Sequence, residues 1–110
     1  MTRMESLTYV FAGMRSVAPF TPVLVGVVGS GNLEVLVEPT TSAENANMCL
    51  FQVETSAQGF GGIWKAVLHD FQERHRFKGL CVSVNDMGAT PAVVSLRLDQ
   101  AVAGLQEVAP

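Results

Sequence analysis

Val23-Leu24-Val25-Gly26-Val27-Val28-Gly29-Ser30-Gly31-Asn32-Leu33-Glu34-Val35-Leu36-Val37-Glu38-Pro39 places two strand-like runs around four turn-forming residues. Aliphatic β-branched residues fit a pleated surface, and Gly and Asn accept the backbone angles of a tight reversal. The stretch therefore predicts a β-hairpin, with strands over about 23–28 and 33–38. The second run alternates, with Leu33, Val35 and Val37 on one face and Glu34, Leu36 and Glu38 on the other. That is the pattern of an antiparallel strand with one covered face. Ser30 falls at the tip, in solvent, between Gly29 and Gly31. A hydroxyl placed there suits modification by another enzyme. It does not suit a nucleophile, which needs a base and an orienting group beside it.

Working outward, Pro39 ends the strand, and the polar stretch from Thr40 to Asn47 reads as a loop. A strand is predicted over about 48–55. Phe60, Ile63, Trp64, Val67, Leu68 and Phe71 then recur at helical spacing, with Lys65, His69, Asp70, Gln72 and Glu73 mainly off that stripe. Gly61-Gly62 weakens the first turn, and Gly79 is the expected stop. Leu80 to Val84 reads as another strand. Thr90-Pro91 opens a second helix, with the Thr as cap and the Pro at the first helical position. Val94, Leu98, Ala101, Val102 and Leu105 would form its buried face, although Val94 to Asp99 also alternates like a strand. The helix is favoured because the apolar pattern runs on to Leu105 without a turn signal. Toward the N-terminus, residues 7–11 read as a first strand, and Pro19 and Pro22 bracket a turn. The order implies an α+β fold, a mainly antiparallel sheet with two helices packed on one face (a two-layer sandwich), in one domain spanning residues 1–110.

The chain has 110 residues, 48% of them hydrophobic and 15% charged, which suits a globular domain able to bury a core. A net charge of −3 argues against general nucleic-acid binding by a basic surface. No apolar run approaches a membrane span, and the start, Met1 to Phe11, is too short and interrupted for a signal peptide. Cys49 and Cys81 both sit in apolar runs and are expected as buried thiols in a cytoplasmic protein. No CxxC occurs and His69 and His75 are not spaced as ligands to either cysteine, so no metal site is expected.

Gly26, Gly29 and Gly31 give G-x-x-G-x-G after a strand, but a dinucleotide loop has the opposite order and must open a helix. Here a strand follows, and the lysine of a phosphate-binding loop is missing as well. Arg74, His75, Arg76 and Lys78 cluster at the end of the first helix. They read as complements to the helix dipole, or else as a docking patch for a partner or for phosphates. Asp86 before Gly88 reads as a turn or cap, Trp64 as core, and Arg97 as pairing with a carboxylate or facing a partner. No residue is assigned a catalytic role.

Two stretches carry a resemblance. Val25 to Pro39, around Gly29-Ser30-Gly31-Asn32, resembles the carrier segment of the malonate decarboxylase acyl carrier (delta subunit) family. Asp86-Met87-Gly88-Ala89-Thr90-Pro91 and on to Gln100 resembles that family's late segment, in the right order and at a fitting distance. The resemblance implies a carrier and no catalyst. In that family the loop serine, here Ser30, bears a phosphoribosyl dephospho-coenzyme A arm through a phosphodiester. The arm's terminal thiol carries acetyl and malonyl groups as thioesters. The implied partners are an acyltransferase subunit that exchanges acetyl for malonate, decarboxylase subunits that act on the malonyl carrier, and a prosthetic-group transferase. Gly29 and Gly31 would leave the hydroxyl open to that transferase, since neither has a Cβ.

The chain departs from the family at Asn32, often Asp there, and in a longer 40–47 loop. The Asp-Ser-Leu helix start of fatty-acid carriers is absent. Two alternatives stand beside this reading: the carrier of citrate lyase or a related lyase, which uses the same type of arm, and a non-carrier interaction module in which Ser30 is only a turn residue.

Overall fold

The alternation read in the sequence becomes a sheet whose rows run straight across five strands. The computed structural model describes residues 4–108; Met1–Arg3 of the N-terminal reading and the ends of the 1–110 span lie outside them. The strands are β1 (Glu5–Ala12), β2 (Val23–Gly26), β3 (Leu33–Pro39), β4 (Met48–Thr55) and β5 (Leu80–Asp86). The helices are α1 (Gly61–His75), between β4 and β5, and α2 (Pro91–Val102), after β5. The spatial order is β1-β4-β5-β3-β2. Three of the pairings are antiparallel, and β4 with β5 is parallel. The fold is thus α+β with a mainly antiparallel sheet. Helix α1 forms a crossover between β4 and β5. A parallel pair requires such a connection.

Register puts Leu7, Val53, Val84, Val35 and Val25 in one row. Tyr9, Phe51, Val82, Val37 and Val23 form the next. These rows lie on the covered face, where the three central strands are fully buried. Trp64, Leu68 and Phe71 from α1 and Val94, Leu98, Ala101 and Val102 from α2 complete the core. Phe51 meets Phe71 edge-on with ring centroids 5.8 Å apart, a favoured aromatic geometry.

Both helices form where their patterns predicted, with different ends. Thr90 caps α2 by accepting from the Val93 N–H (3.3 Å), with Pro91 in the first turn. The helix ends at Val102, and Leu105 packs on the core from beyond it. Helix α1 stops at His75, not at Gly79. Arg76 is its left-handed cap (φ 56°) and donates its N–H to the Gln72 carbonyl at 2.7 Å. A non-glycine residue is held there because its carbonyl accepts from both Met14 and Arg15 N–H groups (2.9 and 2.8 Å). The buried Gln72 side chain braces the same corner through the Ala12 and Phe77 carbonyls.

The cysteines differ from expectation in one respect. Cys49 is buried on the helix-covered face, but Cys81 is only partly covered, because neighbouring strand residues alternate and Cys81 points to the open face. Leu50, the neighbour of Cys49, is the residue in register with Cys81. The two thiols lie on opposite sides of the sheet. No helix among the described residues is long and apolar enough to cross a membrane.

Candidate functional site

The pairing of β2 with β3 ends at Gly26 opposite Glu34. Gly26 has φ +80°, and a Cβ there would lie 2.1 Å from the Leu33 carbonyl oxygen. Only glycine permits this approach. The chain therefore leaves the sheet two residues before the predicted end at 28. Val27 and Val28 stand outside the ladder, more than half exposed. The hairpin loop is 27–32.

Within it, the Asn32 N–H donates to the Gly29 carbonyl (2.9 Å), closing a turn over Ser30 and Gly31. Gly31 has φ +72°, the left-handed value a type II turn demands at its third position. Ser30 is exposed, as predicted. A Cβ on Gly31 would meet nothing within 4 Å, and one on Gly29 would meet only a Val27 methyl at 4.0 Å. The approach to the Ser30 hydroxyl is open. Among the described residues the N–H groups of Gly29 and Ser30 have no acceptor, and no base or carboxylate is bonded to the Ser30 hydroxyl.

The loop is not a free tip. The Gly31 N–H donates to the Met87 carbonyl (2.8 Å), and the Met87 N–H donates to the Asn32 carbonyl (3.0 Å). Met87 is held in turn by Asp86, which is buried at the end of β5. The Asp86 carboxylate accepts from the Thr55 hydroxyl (2.8 Å) and from the Gly88 and Ala89 N–H groups (3.2 and 2.9 Å). Asp86 is thus the turn residue it was read as, with a fully used carboxylate. On the other side, Asn32 Oδ1 accepts from its neighbour's N–H (Leu33, 2.8 Å) and from Arg97 Nε (3.3 Å). Arg97 also reaches Gln100 Oε1 (3.1 Å). Its partners are neutral amides, and among the described residues no carboxylate pairs with it.

The bracing by Met87 was missing from the sequence reading. The quoted Asp86-Met87-Gly88 was the available signal, since Asp two residues before Gly marks a turn, but a backbone bond across 56 positions leaves no local trace. The basic cluster lies at the opposite end of the sheet, at the C-terminus of α1. Arg74 binds Asp70 (3.0 Å) and Asp99 (2.7 Å), and His75 Nε2 lies 2.9 Å from the same Asp99. Burial pushes the Asp99 carboxyl up, but the hydrogen bonds from His75 and Arg74 and their charges outweigh it and hold the group below the usual range. Much of that cluster therefore ties α1 to α2. His69 faces Glu73 at 3.6 Å and meets Phe11 edge-on, with ring centroids 5.9 Å apart.

Residues 21–105 match the family model "ACP: Malonate decarboxylase delta subunit (MdcD)", a span holding the Ser30 loop, Asp86, Met87 and Arg97. The chain belongs to the malonate decarboxylase acyl carrier family. A malonate decarboxylase acyl carrier protein of Burkholderia cepacia is 60% identical over 102 residues, covering 93% of this chain and 91% of the relative. One from Stenotrophomonas maltophilia (strain K279a) is 53% identical over 100 residues, covering 90% and 92%. Among solved structures, a chain of a Pseudomonas malonate decarboxylase hetero-tetramer in complex with malonate superposes with a TM-score of 0.76 at 36% identity. The match covers 90% of this chain and 96% of that one. The malonate decarboxylase carrier family thus accounts for the fold and for nearly the whole length, and the resemblance seen at the two quoted segments extends across both.

Proposed function

We propose that this chain is the non-catalytic acyl carrier subunit of a malonate decarboxylase complex, charged on Ser30. The covalent group is phosphoribosyl dephospho-coenzyme A, joined to the Ser30 oxygen by a phosphodiester. Its terminal thiol supplies thioester chemistry, holding acetyl and malonyl groups for partner subunits. Those partners are an acyltransferase subunit, the decarboxylase subunits and the transferase that installs the arm.

The observation that carries this reading is the exposed Ser30 on a loop that is open in front and braced behind. The residues present fit the group. A bulky activated nucleotide needs an unobstructed hydroxyl, and the space beside Gly31 is empty. A phosphodiester needs donors, and the undirected N–H groups of Gly29 and Ser30 are within the same turn. The guanidinium of Arg97, bound at Asn32 to neutral acceptors only, adds positive charge behind the loop. A serine nucleophile would need a base, and none is bonded to Ser30 among the described residues. A long tether then raises the effective concentration of its cargo at each partner's site. Two unpaired thiols on opposite faces suit a reducing compartment, so the proposed location is the cytoplasm.

Intact mass of the chain co-expressed with its pathway tests the proposal, beside Ser30→Ala. One added phosphoribosyl dephospho-coenzyme A on the wild type and none on the variant is expected. An unmodified wild type, with the transferase active on another carrier, overturns it and leaves an interaction module whose Ser30 only makes a turn.

A further inference from the structure

A cleft of about 320 Å³ opens between the first turns of α1 and α2, at the end of the sheet that carries Ser30. That volume lies at the lower end of ligand pockets, about 300–1,000 Å³. Phe60, Ile63, Trp64 and Val67 form one wall, and Ala89, Pro91 and Val94 form the other. Phe60 and Ile63 are nearly half exposed, although their stripe reads as core. Asp86 at the base is the only ionisable group in the lining, and Thr55, Gly88 and Ala89 already occupy its oxygens. The cleft is therefore mostly apolar, with an aromatic edge and a single carboxylate whose oxygens are already engaged.

Its position relative to Ser30 is fixed by bonded steps. Gly31 and Asn32 are hydrogen-bonded to Met87, and Gly88, the next residue, lines the cleft. Consecutive Cα atoms are about 3.8 Å apart, so the cleft begins one residue step along the chain from the backbone that braces the Ser30 loop.

We infer that this cleft seats the adenine base of the arm borne by Ser30. The inference rests on the arm proposed above and names the part of it that the protein holds. Because the thiol end must stay free, the attachment runs through the phosphoribosyl group to the nucleotide end. The base is thus the first bulky group after the serine. It is also a flat, uncharged body with two π faces, the shape an aromatic-walled apolar slot receives, and base stacking on aromatic side chains is favourable. Phosphates and a malonyl carboxylate carry charge that this lining does not match. Docking the base would direct the remaining arm outward from a fixed point instead of leaving the whole chain loose.

The test is NMR on the loaded full-length chain, with loading first verified by mass. Cross-peaks between adenine H2 or H8 and the rings of Phe60 and Trp64 are expected, with the adenine protons shifted upfield from free dephospho-coenzyme A. Trp64 is the only tryptophan, so its indole signals are unambiguous. In loaded Phe60→Ala the adenine shifts should move back toward the free values while the backbone spectrum stays folded. Phe60 is 46% exposed, so its truncation leaves the core intact. A loaded protein whose adenine protons keep free-nucleotide shifts and show no cross-peaks overturns the inference, and leaves the cleft for a partner's side chain. A chain that gains no mass instead removes the arm itself, and the adenine seat with it.

Discussion

At Gly26 and Gly31 the same backbone sign has different consequences. Both have positive φ, but a Cβ on Gly26 would strike the Leu33 carbonyl, whereas one on Gly31 would enter empty space. A left-handed non-glycine residue costs about 1–2 kcal/mol. Gly31→Ala should lose about that much in urea unfolding, and Gly26→Ala about 2–3 kcal/mol because the clash adds to the strain. Equal losses would show that the Leu33 contact is relieved without cost. Asp86→Ala removes the acceptor for three donors, one of them the buried Thr55 hydroxyl, so a loss of about 3 kcal/mol or more is expected. The same change should speed hydrogen exchange at the Gly31 amide, whose acceptor is Met87. Unchanged exchange there would mean the loop holds without Asp86. At this scale the exposure of Ser30 was legible, because turn chemistry is local. Its bracing was not, since Met87 contributes only backbone atoms, which carry no sequence signature.

Among the elements, apolar runs, alternation and turn signals located the five strands and two α-helices of the described residues, and the boundaries failed where distant contacts decided them. Gly79 looked like the stop of α1 because glycine tolerates a left-handed cap. Arg76 takes that role because bonds from Met14 and Arg15 fix its carbonyl. The link between the helices also gathers residues distant in sequence, with Asp99 of α2 receiving Arg74 and His75 of α1. Its carboxyl titrates below the ordinary aspartate value, so the folded state binds this proton less readily than the unfolded state. The stabilisation is complete above the ordinary value, about pH 3.9, and is lost as pH falls through the lowered one. With the pair partly in solvent, Asp99→Asn should cost no more than about 1 kcal/mol near neutrality. The gap between variant and wild type in urea midpoint should narrow below about pH 4. A gap that stays constant to pH 2 would show that Asp99 acts through packing and not charge.

For the whole molecule, the sequence could be read as a layered α+β fold, but not as a sheet with a parallel centre. Single strands do not announce their neighbours, and β4 and β5 alternate like antiparallel strands. That arrangement separates the cysteines. Burial, then the neighbouring Cys81, pushes the Cys49 thiol up to about 12, while burial, then Glu38, raises Cys81 from a less covered position. A thiol reagent at pH 8 should therefore label Cys81 slowly in the native state and Cys49 only as fast as the protein unfolds. Simultaneous labelling of both would contradict the assigned faces. The pairing of Ser30's loop with Met87 also sets an order in time. Residues 23–39 can form a hairpin early, but the partner that gives the loop its shape is made more than fifty residues later, after the slow closure of a non-local sheet. A nascent chain displays the serine long before it displays the platform beneath it. An enzyme that reads the platform rather than the bare tetrapeptide would act only on finished molecules, and folding would then serve as its inspection of each copy.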